Sequence, residues 1–174
     1  LFIATTNLDA QRAVIWDMGA IAKRGTAESL ELFRSVLLAS ASIPGVFPPV
    51  RIKVRVGDKT YEELHVDGGT INQTFFLPFD ALAASFVGAG KKRPRQHLYV
   101  IRNTKISPEY QATEDKTFDI VGRSVSTLIK SQGVGDLYRI YLKARAQHMT
   151  FNYGAIPSGF VLQAKEPFDK AYMR

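Results

Sequence analysis

Cysteine is absent from all 174 residues, which excludes disulfide scaffolds, Cys-ligated zinc, iron–sulfur clusters and thiol nucleophiles. The compartment stays open, because a chain without thiols suits oxidising and reducing surroundings alike. Long apolar runs are missing too. The nearest, residues 75–90, contains Pro78 and Asp80, whereas a membrane-spanning helix needs about 18 uninterrupted apolar residues. Histidine is scarce: His65, His97 and His148 are widely spaced and belong to no zinc-ligand pattern. Neither a metal nor another cofactor is read from the sequence.

What is present is a globular balance of 45% apolar, 11% aromatic and 22% charged residues, the composition of a folded domain rather than a disordered or collagenous chain. Charge is uneven. Residues 1–87 carry 8 Lys+Arg against 9 Asp+Glu, and residues 88–174 carry 15 against 7. The densest basic stretch, Lys91-Lys92-Arg93-Pro94-Arg95, follows Gly88 and Gly90 and reads as a solvated loop. It serves either as a solubilising turn or as a contact for anionic lipid headgroups or another polyanion. Nucleic acid is not expected as a partner, since the patch has no interleaved aromatics and no nucleic-acid fold signature accompanies it. Leu1-Phe2-Ile3-Ala4 is already a buried-strand pattern, and Asp169–Arg174 has no closing signal. The chain therefore reads as an interior piece of a longer protein, a single partial domain over residues 1–174.

Leu1–Thr5 and Ala13–Trp16 have the pattern of short strands around an Asn7-Leu8-Asp9 turn. A helix follows, with Thr26 as N-cap, Glu28 and Glu31 in its early turns and Leu30, Phe33, Leu37 and Ala41 as its core stripe, stopped by Pro44-Gly45. Residues 50–56 alternate Val/Ile with Arg/Lys, which predicts a strand whose Arg51, Lys53 and Arg55 form an exposed cationic face. Gly57-Asp58 suits a two-residue hairpin turn. Counting back from it pairs Ile52 with Glu63 and Arg51 with Leu64, so a bulge at Glu62-Glu63 is expected, restoring Ile52 opposite Leu64 and Val50 opposite Val66. Residues 96–102 form a further, largely buried strand. Residues 118–149 are mostly helical, with one apolar stripe at Phe118, Val121, Val125, Leu128 and Ile129, a second at Leu137, Ile140, Tyr141 and Ala144, and a break near Gly133 and Gly135. The tail is loop-rich. Strands interspersed with helices imply an α/β fold, with the hairpin making its sheet mixed.

Chemistry concentrates at Val66-Asp67-Gly68-Gly69, an acid at a strand end followed by two glycines that permit close backbone approach. Asp-Gly is also among the commonest turn dipeptides, so the functional reading needs a partner for Asp67 to activate or orient. His65 lies two residues away, on the same side of a continuing strand. It reads as a strand-surface residue, with a supporting or triad role as the alternative, and a metal site from Glu62, Glu63, His65 and Asp67 is disfavoured. Ser40 and Ser42 read as helix-end hydrogen-bonding residues.

Val66-Asp67-Gly68-Gly69, the upstream run from Leu37 through Ala41-Ser42-Ile43-Pro44-Gly45-Val46-Phe47-Pro48-Pro49, and Thr5-Thr6-Asn7-Leu8-Asp9 together resemble the carboxyl-terminal half of a bacterial patatin-like phospholipase. Ile120-Val121-Gly122-Arg123-Ser124 adds to the likeness. The resemblance implies lipid acyl ester hydrolysis by a Ser-Asp dyad on a three-layer α/β/α fold, of which this chain is a fragment. The family's serine sits in a Gly-x-Ser-x-Gly elbow and its oxyanion hole in a Gly-rich loop. Neither occurs here; the nearest misses are Ser124 and Ser131. Only the dyad acid carries over, onto Asp67, with Gly68 and Gly69 completing its motif. Phe75, Phe76 and Phe79 follow that motif and either line an acyl-chain channel or pack in the core. A serine hydroxyl needs an adjacent base, and a carboxylate serves when desolvation raises its pKa, so no His is required.

Three expectations follow. The first is a serine lipid acyl hydrolase to which this chain supplies the acid, inactive by itself. The second is a patatin-like module without catalysis that binds lipid or regulates. The third is a basic module held at an anionic membrane surface through Lys91, Lys92, Arg93 and Arg95.

Overall fold

The computed structural model describes residues 1–75, 95–162 and 169–170. The chain divides into two compact units, Leu1–Phe79 with Ser124–Ile140, and Asp80–Arg123 with Tyr141–Arg174. Helices and strands occur in both, an α/β architecture.

In the first unit, β1 (Phe2–Asn7) and β2 (Arg12–Asp17) form an antiparallel hairpin, followed by a short helix α1 (Met18–Lys23) and a longer one, α2 (Ala27–Ser40). β3 (Val50–Val56) and β4 (Lys59–Asp67) form a second hairpin, and the strands join in the order β2-β1-β4-β3. Gly57, at φ 60°, is the first central residue of the β3–β4 turn, where a type II′ geometry demands a positive φ. The core of this unit lies on one sheet face. Ile3, Trp16, Val50, Ile52 and Val54 share that face by register, and they pack against Met18 and Ile21 of α1 and Val36 and Ala39 of α2.

The register corrects the expected bulge. Val50 faces His65, Ile52 faces Glu63 and Val54 faces Tyr61, with no residue inserted. The apolar side chains of β3 do not need apolar partners across the ladder, because α2 covers them from above: Ile52 is 2% exposed while paired to a glutamate. The core stripe of α2 is corrected as well. Leu30, Leu37 and Ala41 are exposed, and the buried positions are Ser29, Val36 and Ala39 with Leu32 and Phe33 beside them. The helix is thus turned by about one residue, near 100°, from the face its leucines mark. Its start is as expected, with Thr26 accepting from the Ser29 N–H and Ser29 Oγ accepting from the Thr26 N–H. Arg51, Lys53 and Arg55 are exposed, as the alternation predicts.

In the second unit, β5 (His97–Arg102) pairs in parallel with β6 (Thr150–Ala155), a strand hidden in the glycine- and proline-bearing tail. Parallel and antiparallel pairing therefore sit in separate sheets rather than in one mixed sheet. β5 is buried on one side only, with Val100 and Arg102 inside and Tyr99 and Ile101 in solvent, so the expected largely buried strand is half right. The long helix α3 (Thr117–Ala146), whose residues Ser124–Ile140 belong to the first unit, runs without the break expected near Gly133 and Gly135. Neither glycine is obliged to interrupt a ladder held by its neighbours' i→i−4 bonds; each costs only about 1 kcal/mol relative to alanine. Phe118, Val121, Val125 and Leu128, expected as a core stripe, are exposed. The buried positions of α3 are Gly133, Asp136, Ile140 and Ala144, at helical spacing.

Candidate functional site

Asp67 is the last residue of β4 and lies opposite Thr5 of β1, beyond the end of the β3 pairing. Three segments distant in sequence meet there. The Asp67 N–H donates to the Ser42 carbonyl at 3.0 Å, Thr5 stands across the ladder, and Gly68 lies against the Ala4 carbonyl, where a Cβ at position 68 would come within 2.6 Å of the oxygen. Glycine is required at 68 because the backbone of β1 fills the space a side chain would occupy.

The carboxylate is aimed by its own loop. Gly68–Thr70 forms a single 3₁₀ turn with Asp67 as its cap, and the Gly69 N–H donates to Asp67 Oδ1 at 2.6 Å. Among the described residues no group bonds to Oδ2. One oxygen is fixed and the other is left to accept. Asp67 itself is partly buried. The turn continues with the Ile71 and Asn72 N–H groups donating to the Gly68 carbonyl, at 3.2 and 3.0 Å.

The Thr5–Asp9 segment proves architectural. Asn7 Oδ1 accepts from the Ala10 N–H at 2.9 Å and closes the β1–β2 turn, while Asp9 Oδ2 accepts from the Leu64 N–H at 2.7 Å and ties that turn to β4. Ser40 Oγ donates to the Leu37 carbonyl and Ser42 Oγ to the Leu38 carbonyl, both at 2.8 Å, so the two serines satisfy the end of α2.

His65 overturns its expected place on the strand surface: it is fully buried. Register puts it on the inner face beside Val50 and Asn7, and Trp16 closes over it with ring centroids 5.7 Å apart. Trp16 Nε1–H donates to Thr5 Oγ1 at 2.8 Å, and Thr5 Oγ1 meets His65 Nδ1 at 2.9 Å. Because the indole can only donate, the threonine hydroxyl is free to give its proton to Nδ1, which leaves the imidazole hydrogen on Nε2, 3.4 Å from Glu63 Oε2. In that tautomer donation runs one way from Trp16 to Glu63. Burial pushes the His65 pKa below the ordinary value, outweighing the opposite pull of the Glu63 and Asp9 carboxylates.

A residue absent from the sequence reading completes the surroundings. Asp136, on α3 and 1% exposed, accepts with Oδ2 from the N–H groups of Gln73 at 2.8 Å and Thr74 at 3.3 Å, and with Oδ1 from Arg139. The available signal was an acid four residues before Ile140, on the buried face of a helix. Phe75 is partly buried and Arg95 exposed; Phe76, Phe79, Lys91, Lys92 and Arg93 lie outside the described residues. Ser124 and Ser131 are exposed on α3.

A family model, Patatin-like phospholipase, matches residues 3–82. The patatin-like stretch contains all three segments that converge at Asp67, and at family level it points to lipid acyl hydrolysis. No curated protein and no solved structure matches the chain.

Proposed function

We propose that the chain forms part of a patatin domain that hydrolyses lipid acyl esters with a Ser-Asp dyad, and that Asp67 is its carboxylate. The observation that carries this reading is the half-engaged carboxylate: Oδ1 is held by the Gly69 N–H and Oδ2 has no described partner, at the point where the Thr5, Ser42 and Gly68 segments meet. Oδ2 takes the proton of a serine supplied by a Gly-x-Ser-x-Gly elbow outside residues 1–174. The serine oxygen attacks the acyl carbonyl carbon, the ester C–O bond breaks, and the leaving alcohol carries the proton away. In the second half Oδ2 takes a proton from water, hydroxide attacks the acyl carbonyl carbon, the bond from that carbon to the serine oxygen breaks, and Asp67 returns its proton to the serine oxygen as the fatty acid leaves. A carboxylate with one anchored oxygen does this without a histidine, and the only nearby one, His65, is spent on Thr5 and Glu63.

The test is Asp67→Asn in a protein that joins this chain to an elbow serine, assayed with a p-nitrophenyl ester. Loss of a general base costs about a hundredfold to ten-thousandfold, so kcat falls by at least that lower figure with unfolding unchanged. Activity retained at the wild-type level removes Asp67 from the mechanism, whereas no ester hydrolysis by the wild-type protein itself leaves a patatin-like module that binds lipid without cleaving it. Residues 1–174 alone, whose sequence holds neither a Gly-x-Ser-x-Gly elbow nor the family's Gly-rich oxyanion loop, are expected not to turn over the ester.

A further inference from the structure

We infer that Asp136 is a positioning residue for Asp67, a latch on the far side of the loop that aims the carboxylate. This rests on the reading of Asp67 as the dyad acid.

The loop 67–74 is held at two ends. Upstream, Asp67 is paired with Thr5 and bonded to Ser42, and Gly68 is wedged against Ala4. The middle is one compact turn, in which the Gly69 N–H reaches back to Asp67 and the Ile71 and Asn72 N–H groups to the Gly68 carbonyl. Downstream, the next two N–H groups, of Gln73 and Thr74, converge on one oxygen of Asp136, 63 and 62 residues away in sequence. Between the Asp67 and Asp136 carboxylates, the N–H groups of Gly69, Ile71, Asn72, Gln73 and Thr74 are thus all engaged.

Asp136 is an expensive residue for its position. A carboxylate taken out of water loses its hydration, and only engagement of its oxygens offsets that loss, which an apolar side chain at a buried helical site would avoid altogether. Both oxygens are engaged here, Oδ2 by the two loop N–H groups and Oδ1 by Arg139, whose side chain is 62% exposed and so remains hydrated. Bonds from N–H groups to an ionised acceptor are short and roughly twice as strong as neutral ones. Desolvating Asp136 is therefore compensated by holding this loop. Without it, the turn opens from its downstream end, the Gly69 N–H leaves Asp67 Oδ1, and the base rotates away from the serine. Such a loss acts on proton transfer and leaves substrate binding largely untouched.

The experiment uses the protein that joins this chain to an elbow serine, with kcat and KM measured on a p-nitrophenyl ester. A displacement of about 1 Å at a catalytic group costs up to about a hundredfold. Asp136→Ala is accordingly expected to lower kcat about tenfold to a hundredfold with KM within about twofold of wild type. Asp136→Asn, which keeps a carbonyl oxygen for Gln73 and Thr74, recovers most of that loss. Amide hydrogen exchange supplies the readout independent of turnover: protection of Gln73 and Thr74 is lost in Asp136→Ala and kept in Asp136→Asn. Where the alanine variant does not fold, Asp136→Glu moves the carboxylate by one methylene at constant charge, and the same fall in kcat is expected of it. An unchanged kcat in the folded alanine or glutamate variant overturns the positioning role, as does protection at Gln73 and Thr74 that ignores the substitution. Equal loss of kcat in the alanine and asparagine variants, tracking lost stability, also overturns it. Full activity in Asp67→Asn strikes instead at the reading beneath, and the exchange result then stands by itself.

Discussion

Replacing Gly68 with alanine tests the placement of Asp67 most directly. The new Cβ would sit 2.6 Å from the Ala4 carbonyl oxygen, 2.9 Å from its carbon and 3.1 Å from the Ala4 Cβ. A comfortable carbon–oxygen contact is about 3.3 Å or more, so loop or strand must separate by roughly 0.7 Å. Strand β1 cannot give way cheaply, because Ala4 is paired with Ile15 of β2 and its neighbour Thr5 with both Val14 and Asp67. Overpacking of this kind costs about 1–3 kcal/mol. With a urea slope of about 2 kcal/mol per molar, the unfolding midpoint falls by about 0.5–1.5 M. Gly69→Ala is the internal comparison. Its Cβ would meet Asp67 Oδ1 at 3.0 Å, the end of a side chain that can swing aside, so its stability cost is smaller while the carboxylate is disturbed more. A midpoint for Gly68→Ala equal to wild type, or a cost below that of Gly69→Ala, would refute the argument that β1 backbone excludes a side chain at 68.

Two further outcomes follow from other parts of the unit. Burial holds the His65 pKa below 6.5, so the folded chain resists a proton that the unfolded chain accepts. That part of stability is intact above pH 6.5 and is lost as the pH falls through and below it, by at most about 1.4 kcal/mol per unit. Urea midpoints at several pH values should show the gap between wild type and His65→Gln narrowing towards pH 5.5, and a gap that stays constant would contradict the neutral buried ring. Emission of Trp16, the single tryptophan, reports the same event because its ring lies on His65. At the start of α2, Thr26→Ala removes the acceptor for the Ser29 N–H, and the expected cost is about 0.5–2 kcal/mol. Thermal unfolding would show it as a fall of about 2–4 °C per kcal/mol, and no fall would mean the cap contributes nothing.

Elements whose signal is local were legible in the sequence. Thr26 caps α2 because a hydroxyl needs only the N–H three residues on, and Gly57 turns the β3–β4 hairpin because only its own φ is at stake. Readings that needed tertiary partners went astray. The bulge came from asking β3 and β4 to bury each other's side chains, when the burying surface is α2. The leucines of α2 drew its stripe to the wrong face, since the positions that meet the sheet hold Val36, Ala39 and Ser29, small enough for close approach. β6 was missed because Gly154 interrupts its apolar alternation, although a parallel partner at β5 stabilises it regardless.

The site shows the same division between local and distant causes. Asp67-Gly68-Gly69 is readable because the cap, the close approach and the turn all lie within three residues. The Thr5–Asp9 segment carried resemblance without disclosing its work, since Asn7 and Asp9 bond to backbone that only the fold brings near. His65 and Asp136 mark the limit. Each is a titratable group buried by an element far away in sequence, and each spends its polar atoms inside the fold, on Thr5 and Glu63 in one case and on Gln73, Thr74 and Arg139 in the other. Among the described residues, Asp67 differs from both in having one carboxylate oxygen without a hydrogen-bond partner. Buried polar groups are ordinarily satisfied throughout, as His65 and Asp136 are; Asp67 is only partly buried, so its second oxygen can be left to solvent, and the Asp67→Asn comparison decides whether it serves the dyad proposed for it.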